Sequence, residues 1–196
     1  EPAARAHLMP ALLDEKILAI TRAFEAAGIA HAFGGALALA YWATPRATLG
    51  IDVNVFALAE TPEPVFAALA QLGVGPPGPE QRRALRERGQ LRCHWEHVPI
   101  DLFFAYDPLH ESCRARMLRV PFGTDAMIPI LSAEDLAIFE VLFDREKDWR
   151  DLHELAFVLG ADFDQQYAFE WLRRILEPQD QRLRRFEILL RGAPGP

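Results

Sequence analysis

Cysteine is nearly missing from this 196-residue chain, which carries only Cys93 and Cys113. Two thiols with no metal-like Cys/His spacing exclude a disulfide-stapled miniprotein and a zinc-finger fold, and they read as reduced side chains of a cytoplasmic protein. His94 and His97 do not make up the deficit, because residues three apart in an alternating strand point to opposite faces. An excess of positive charge is also missing: the balance is -7, which excludes a general nucleic-acid coat protein. Charges, Gly or Pro interrupt every apolar stretch before the roughly 18–20 residues that a membrane span needs, so no membrane partner is expected. There is no signal-peptide pattern and no internal repeat.

What is present suits a globular protein, with 51% hydrophobic and 25% charged residues. That is enough for one core domain with a helical appendage. Residues 1–8, ahead of Met9, read as a processed extension and stay outside the fold argument. ALLDEKILAITRAFEAAG repeats Leu13, Ile17, Ile20, Phe24 and Ala27 at helical spacing and stops at Gly28. IAHAF reads as a strand, Gly34-Gly35 as a turn and ALALAYWA as a helix. In IDVNVFAL, Ile51, Val53 and Val55 alternate with Asp52, Asn54 and Phe56, as a half-buried strand requires. PEPVFAALAQL is a helix opened by proline, and GVGPPGP fits no regular element.

Strands follow around QLRCHWE and in VPIDLFFAY, then a short helix near HESCRARM and extended pieces in LRVPF and MIPIL. SAED has the form of a capping box, with Ser132 capping and Asp135 reaching back. Helices are expected over about 133–143, 147–159, 164–176 and 179–191. Strands therefore cluster early and helices late, which makes an α+β chain with a core over 9–131 and a helical C-terminal subdomain over 132–196.

Three features could carry chemistry. A glycine pair at a strand-to-helix turn lets backbone approach a ligand and aims free helix N–H groups at it, which suits a phosphate. Asp52 and Asp101 each interrupt an apolar strand, and Arg46 and Thr48 lie in the loop that feeds the first. Two carboxylates about 4 Å apart repel by roughly 4 kcal/mol at an effective dielectric of 20, and a divalent ion relieves this. Magnesium suits the task, since it takes one or two protein carboxylates and completes its shell from water and phosphates. Finally, FEVLFDREKDWRDLHEL spaces Glu140, Asp144, Lys147, Asp148 and Asp151 at three or four residues, unless Arg145 to Lys147 bend the chain. Periodicity alone makes that stripe a solvated face and Trp149 a core residue.

Together FGGALALAYWATPRATLGIDVNVF, VPIDLFF and LSAEDLAIFEVLFDREKDWRDLHEL resemble the nucleotidyltransferases of the DNA polymerase β-like superfamily, in particular the small bacterial AbiE-type toxin transferases. The resemblance implies a mixed sheet flanked by helices, with a helical C-terminal portion over the nucleotide. It implies that Gly34 and Gly35 hold nucleotide phosphates and that Asp52 and Asp101 are the catalytic acids and magnesium ligands, with manganese as a substitute. On this reading Arg46, Thr48, Lys147 and Asp148 complete the nucleotide site and Asp101 acts as general base. The partners implied are a nucleoside triphosphate, an RNA acceptor such as a tRNA end, and an antitoxin protein. The basic clusters Arg82, Arg83, Arg86, Arg88, Arg92 and Arg173, Arg174, Arg182, Arg184, Arg185, Arg191 would otherwise be solvated faces.

The sequence departs from the pattern twice. Gly50 stands where the family's first metal acid stands, and Glu140 stands where related proteins place a lysine, so a carboxylate would there repel the triphosphate. A shifted register that pairs Asp52 with Asn54 keeps a metal site with a weaker, neutral ligand. These departures open an alternative, a silent relative that binds a nucleotide or a protein partner. A third reading, a plain interaction module, requires the two aspartates to be far apart or separately paired with arginines.

Overall fold

The alternating residues after Gly50 do form a strand, and the rest of the molecule is arranged around it. The computed structural model describes residues 12–192, so the extension assigned to residues 1–8 lies outside the described residues. The elements are α1 (Leu13–Ala26), β1 (His31–Phe33), α2 (Gly35–Trp42), β2 (Ile51–Leu58), α3 (Glu63–Gln71), α4 (Pro79–Arg88), β3 (Gln90–Trp95), β4 (Val98–Ala105), α5 (Pro108–Arg116), β5 (Leu118–Phe122), β6 (Ala126–Ile130), α6 (Ala133–Phe143), α7 (Glu146–Leu159), α8 (Gln165–Ile175) and α9 (Gln181–Arg191). Among the described residues the strands make one six-stranded sheet in the order β3-β4-β2-β1-β6-β5. β2–β4 and β1–β6 are parallel and the other pairs antiparallel, so the sheet is mixed and the class is α+β. No described helix is long and apolar enough to cross a membrane.

One face of the central strands makes the core. Ile51, Val53 and Val55 of β2 and Ile100, Leu102 and Phe104 of β4 are buried in one cluster with Ile17, Ile20 and Phe24 of α1 and Val65 and Leu69 of α3. Each such side chain contributes about 1.5–3 kcal/mol on leaving water, which makes the strand register hard to slip. The other face carries Asp52, Asn54, Asp101 and Phe103, and α6 lies above it, with Phe143 tilted against Phe103 at 5.2 Å between ring centres.

One element was not anticipated and one expectation needs correction. Pro79, the last residue of GVGPPGP, opens α4, which ends on Gly89 in the left-handed region (φ 63°). Its periodic apolar signal was invisible because Leu85 is its one buried residue among arginines. The acidic stripe is not continuous, and only Asp144 and Lys147 of its members are solvated. The chain turns a corner at Asp144 (φ 56°), whose carboxylate accepts a 2.7 Å hydrogen bond from Trp149 Nε1, and Glu140, Asp148 and Asp151 all lie buried. Trp149 itself is core, as expected. Ser132 does cap α6, but Asp135 reaches back to its hydroxyl (2.8 Å) rather than to its backbone N–H.

Candidate active site

β1 runs into α2 through Gly34 and Gly35, and this turn is tied to β2 by the Gly34 N–H, which donates to the Asp52 carbonyl at 3.0 Å. Gly35 has φ 50°, and a Cβ there would overlap the Asp52 carboxylate; a Cβ on Gly34 would come within 3.0 Å of Asn54 Nδ2. Both glycines are needed because the polar side chains of β2 pack directly beneath the turn.

Asp52 and Asp101 are register partners across the parallel β2–β4 pair, so their side chains share one face. They differ in their partners. Both Asp101 oxygens accept from Arg92 of β3, at 2.7 Å each, in an exposed bidentate pair. No described side chain hydrogen-bonds to the Asp52 carboxylate. Burial, and then the charge of Asp101, hold its pKa above the ordinary carboxylate value, while Lys147, Arg145 and Arg46 pull the other way.

The remaining expected residues divide. Arg46 forks onto Asp151 of α7, with contacts of 2.7–2.9 Å, and Lys147, which makes no salt bridge among the described residues, lines a hollow of about 600 Å³ with it. Thr48 lines no part of this space: its hydroxyl donates to the Gly50 carbonyl (3.1 Å) and accepts from the Gly50 N–H (3.3 Å), shaping the approach to β2. Asp148 is fully buried as the first-turn cap of α7, and both its oxygens are taken by Arg145.

The two departures also acquire physical form. A Cβ on Gly50 would meet Pro99 Cγ and the Pro99 carbonyl at 3.1 Å each, so a side chain there requires Pro99 of β4 to give way slightly. Glu140 is buried beside Asp148. Burial, a hydrogen bond to Asp148 and the charges of Asp148, Asp151 and Asp52 push its pKa up to about 9. At neutral pH it holds its proton, so the repulsion of a triphosphate expected from a carboxylate at this position does not arise.

Between the Gly34–Gly35 turn, Asp52 and α6 lies a cavity of about 20 Å³, large enough for a single small group. Asn54 Oδ1 and Glu140 Oε2, two buried oxygens without a hydrogen-bond partner, belong to its lining. The 600 Å³ hollow adjoins it through Arg46 and Lys147. A third hollow, of about 270 Å³, adjoins it through Phe103, Phe143 and Arg145 and opens on Asp101. The three hollows are thus neighbours through shared lining residues.

No described group of three His, Cys, Asp or Glu side chains converges as a metal cage. The unpartnered Asp52 carboxylate, the orphaned Asn54 oxygen and the weakly held Asp101 nevertheless fit one hard cation whose other ligands are water and phosphate. They do not fit two.

No protein-family model matches the chain and no curated protein matches it. Among solved structures it is similar to the antibiotic-resistance factor ANT(2'')-Ia. The crystal structure of that protein with adenylyl-2''-tobramycin aligns over 83% of this chain and 98% of the other, at 15% identity and a TM-score of 0.58. Its solution structure aligns over 92% and 99%, at 15% identity and a TM-score of 0.58. The fold is a nucleotidyltransferase fold. An antigenic nucleotidyltransferase-like protein from Paracoccidioides brasiliensis aligns over 94% of both chains at 10% identity and a TM-score of 0.47.

Within this nucleotidyltransferase fold, sequence reasoning missed two residues. Arg92 was legible: a hairpin turning at Glu96-His97 puts residues 92 and 101 opposite each other. Arg145 was not, because only the corner at Asp144 swings it over Phe143, with the guanidinium 4.9 Å from the ring centre. The C-terminal arginines are mostly engaged. Arg182 pairs with Asp180 and Arg191 with Glu187, while Arg173 and Arg174 lie over Phe169 and Trp171.

Proposed function

We propose that the chain binds a nucleoside triphosphate with one magnesium ion and transfers the nucleotidyl group to a hydroxyl acceptor, releasing pyrophosphate. The observation that carries this reading is the pair of adjacent aspartates beneath a glycine turn, one of them with no ion-pair or hydrogen-bond partner among the described residues. Asp52 and Asp101 would hold the ion, which when bound supplies charge neutralisation at the reacting phosphate. The Gly34–Gly35 turn brings backbone N–H groups to the phosphates, and Arg46 and Lys147 supply positive charge on the leaving-group side. Asp101, once released from Arg92, takes the acceptor's proton. The resemblance to AbiE-type transferases brings an RNA end as acceptor and an antitoxin as partner. The adenylylated tobramycin of ANT(2'')-Ia brings a small hydroxyl compound instead.

Transfer of labelled nucleotide from each of the four triphosphates to RNA, protein and small hydroxyl acceptors, with magnesium or manganese, tests this directly. Product supports it, and no product with any combination overturns it.

A second reading, a silent nucleotide-binding relative, is favoured by the contact of Pro99 with the space above Gly50. On that reading triphosphate binds without turnover, and the double variant Gly50→Asp with Glu140→Lys raises metal-dependent binding. Calorimetry showing no gain in the folded double variant counts against it.

A further inference from the structure

We infer that Glu140 of α6 takes over the part of the missing acid at position 50: with Asp52 and Asn54 of β2 it forms a cation site in the cavity of about 20 Å³ between strand and helix. This rests on the nucleotidyl-transfer reading and adds Asn54 and Glu140 as ligands of its ion.

Unsatisfied oxygens come first. Asn54 and Glu140 are each only 3% exposed, and Asn54 Oδ1 and Glu140 Oε2 have no hydrogen-bond partner among the described residues. Burying an acceptor unpaired is costly, and two such atoms from residues that line one cavity call for a common occupant. The Asp52 carboxylate lines the same cavity and is likewise without a hydrogen bond. Asp52 and Asn54, two residues apart in β2, share a face of the sheet, and α6 brings Glu140 to that face.

The chemistry of the lining then selects the occupant. The cavity holds about one water or one ion. A water would donate two hydrogens and leave the Asp52 charge uncancelled, whereas a hard cation meets all three oxygens and cancels it. The protein's own cations do not fill this role. Arg46 is spent on Asp151 and Arg145 on Asp148, and Lys147 lines the cavity without a hydrogen bond to any of the three oxygens. Gly50 lies against Pro99, and Asp101 lines the 270 Å³ hollow with both oxygens on Arg92. Asp101 therefore joins the ion only after leaving Arg92, while Asn54 and Glu140 are in place beforehand.

Glu140 needs no change of protonation to serve. It donates its proton in a hydrogen bond to Asp148, and the unpartnered Oε2 is then a neutral carbonyl oxygen. Hard cations accept such oxygens, the amide oxygen of Asn54 among them. An ion bound here ties β2 to α6, so it stabilises the fold as well as binding to it.

The test uses the whole chain with manganese(II) as the probe, with and without a non-hydrolysable nucleoside triphosphate. Binding is read from the loss of the free-ion electron paramagnetic resonance signal and from the rise in Tm that a bound ion produces. The parent is expected to bind one ion. Glu140→Leu and Asn54→Ala each delete one oxygen and are expected to weaken binding by about tenfold or more, since losing a group that only orients a ligand already costs about that much. Glu140→Gln, which keeps a neutral carbonyl oxygen, is expected to bind as the parent does. Thermal melts without the ion show which variants are folded. A folded Glu140→Leu or Asn54→Ala variant that binds manganese as the parent does overturns the inference and leaves the triphosphate reading standing. Glu140→Gln as weak as Glu140→Leu overturns the ligand role given to the carbonyl oxygen. Absence of any ion binding by the parent, with triphosphate present, overturns the inference together with the reading beneath it.

Discussion

Asp52 and Asp101 stand side by side in the parallel β2–β4 pair, yet among the described residues only Asp101 is held in an ion pair, by the bidentate guanidinium of Arg92. The Asp52 carboxylate is held against the Gly34–Gly35 turn with no hydrogen-bond donor among the described residues, and burial and then Asp101 raise its pKa. A raised carboxylate pKa means that the folded state binds the proton more tightly than the unfolded one, so stability falls as pH climbs towards the folded pKa. Burial of Asp52 therefore costs stability at pH values above the ordinary carboxylate range.

Replacing Asp52 by Asn removes that cost along with the metal anchor. The variant is expected to melt higher than the parent and to lose magnesium-dependent binding of triphosphate. Thermal melts and calorimetry with and without magnesium check both halves. A variant that melts lower, or that still binds the magnesium complex, contradicts the role assigned to Asp52.

Glu140 offers a pH test. Its folded pKa is about 9, raised by burial, a hydrogen bond to Asp148 and the neighbouring acids. Above the ordinary carboxylate value the unfolded chain releases this proton while the folded chain keeps it, so stability declines with pH until about 9 and then levels off. Glu140→Gln keeps the shape without the proton. Its Tm advantage over the parent is expected to widen steadily from about pH 5 to about pH 9. Parallel Tm curves would show that Glu140 is ionised after all.

Arg46 joins the loop before β2 to α7 by holding Asp151, whose side chain is only 4% exposed. Arg46→Ala strands a buried carboxylate. Complete loss of a buried partner costs about 3–5 kcal/mol, and since Arg46 is itself one-third exposed, about 2 kcal/mol is expected in urea unfolding. The double variant with Asp151→Asn should recover most of that stability without recovering triphosphate binding. Failure of the second change to restore stability would mean that Arg46 acts by packing rather than by charge.

Gly35 should tolerate no side chain. Gly35→Ala places a Cβ against the Asp52 carboxylate at a φ of 50°, and a loss of about 2–3 kcal/mol is expected. Combining it with Asp52→Gly, which clears the overlap, should return part of that loss. If the single variant unfolds at the parent's denaturant midpoint, the turn is looser than its geometry states.

Much of the frame was open to local reading. Alternation in IDVNVFAL placed Asp52 and Asn54 on the face opposite Ile51, Val53 and Val55, because successive strand residues point to opposite sides whatever surrounds them. Helical spacing located α6 from Ala133 to Phe143 at its observed bounds, since Ser132 caps it and an apolar run follows. α4 escaped because a helix that buries little besides Leu85 writes almost no apolar period into its sequence. The burial of Glu140, Asp148 and Asp151 escaped for the converse reason: three- and four-residue spacing says that acids share a face, but the direction of that face depends on what packs there.

The chain's residues thus carry in their order the strand alternation, the glycine turn, the helix caps and the absence of an acid at position 50, all set by short-range sterics and periodicity. Tertiary structure alone decided how those parts meet. It put Asp101 in register with Asp52, brought Pro99 against Gly50 and turned the chain at Asp144, so that Glu140 keeps its proton and Arg145 overlooks Asp101's hollow. These depend on distances between residues far apart in sequence, and a residue's charge state follows from the neighbours that folding brings to it.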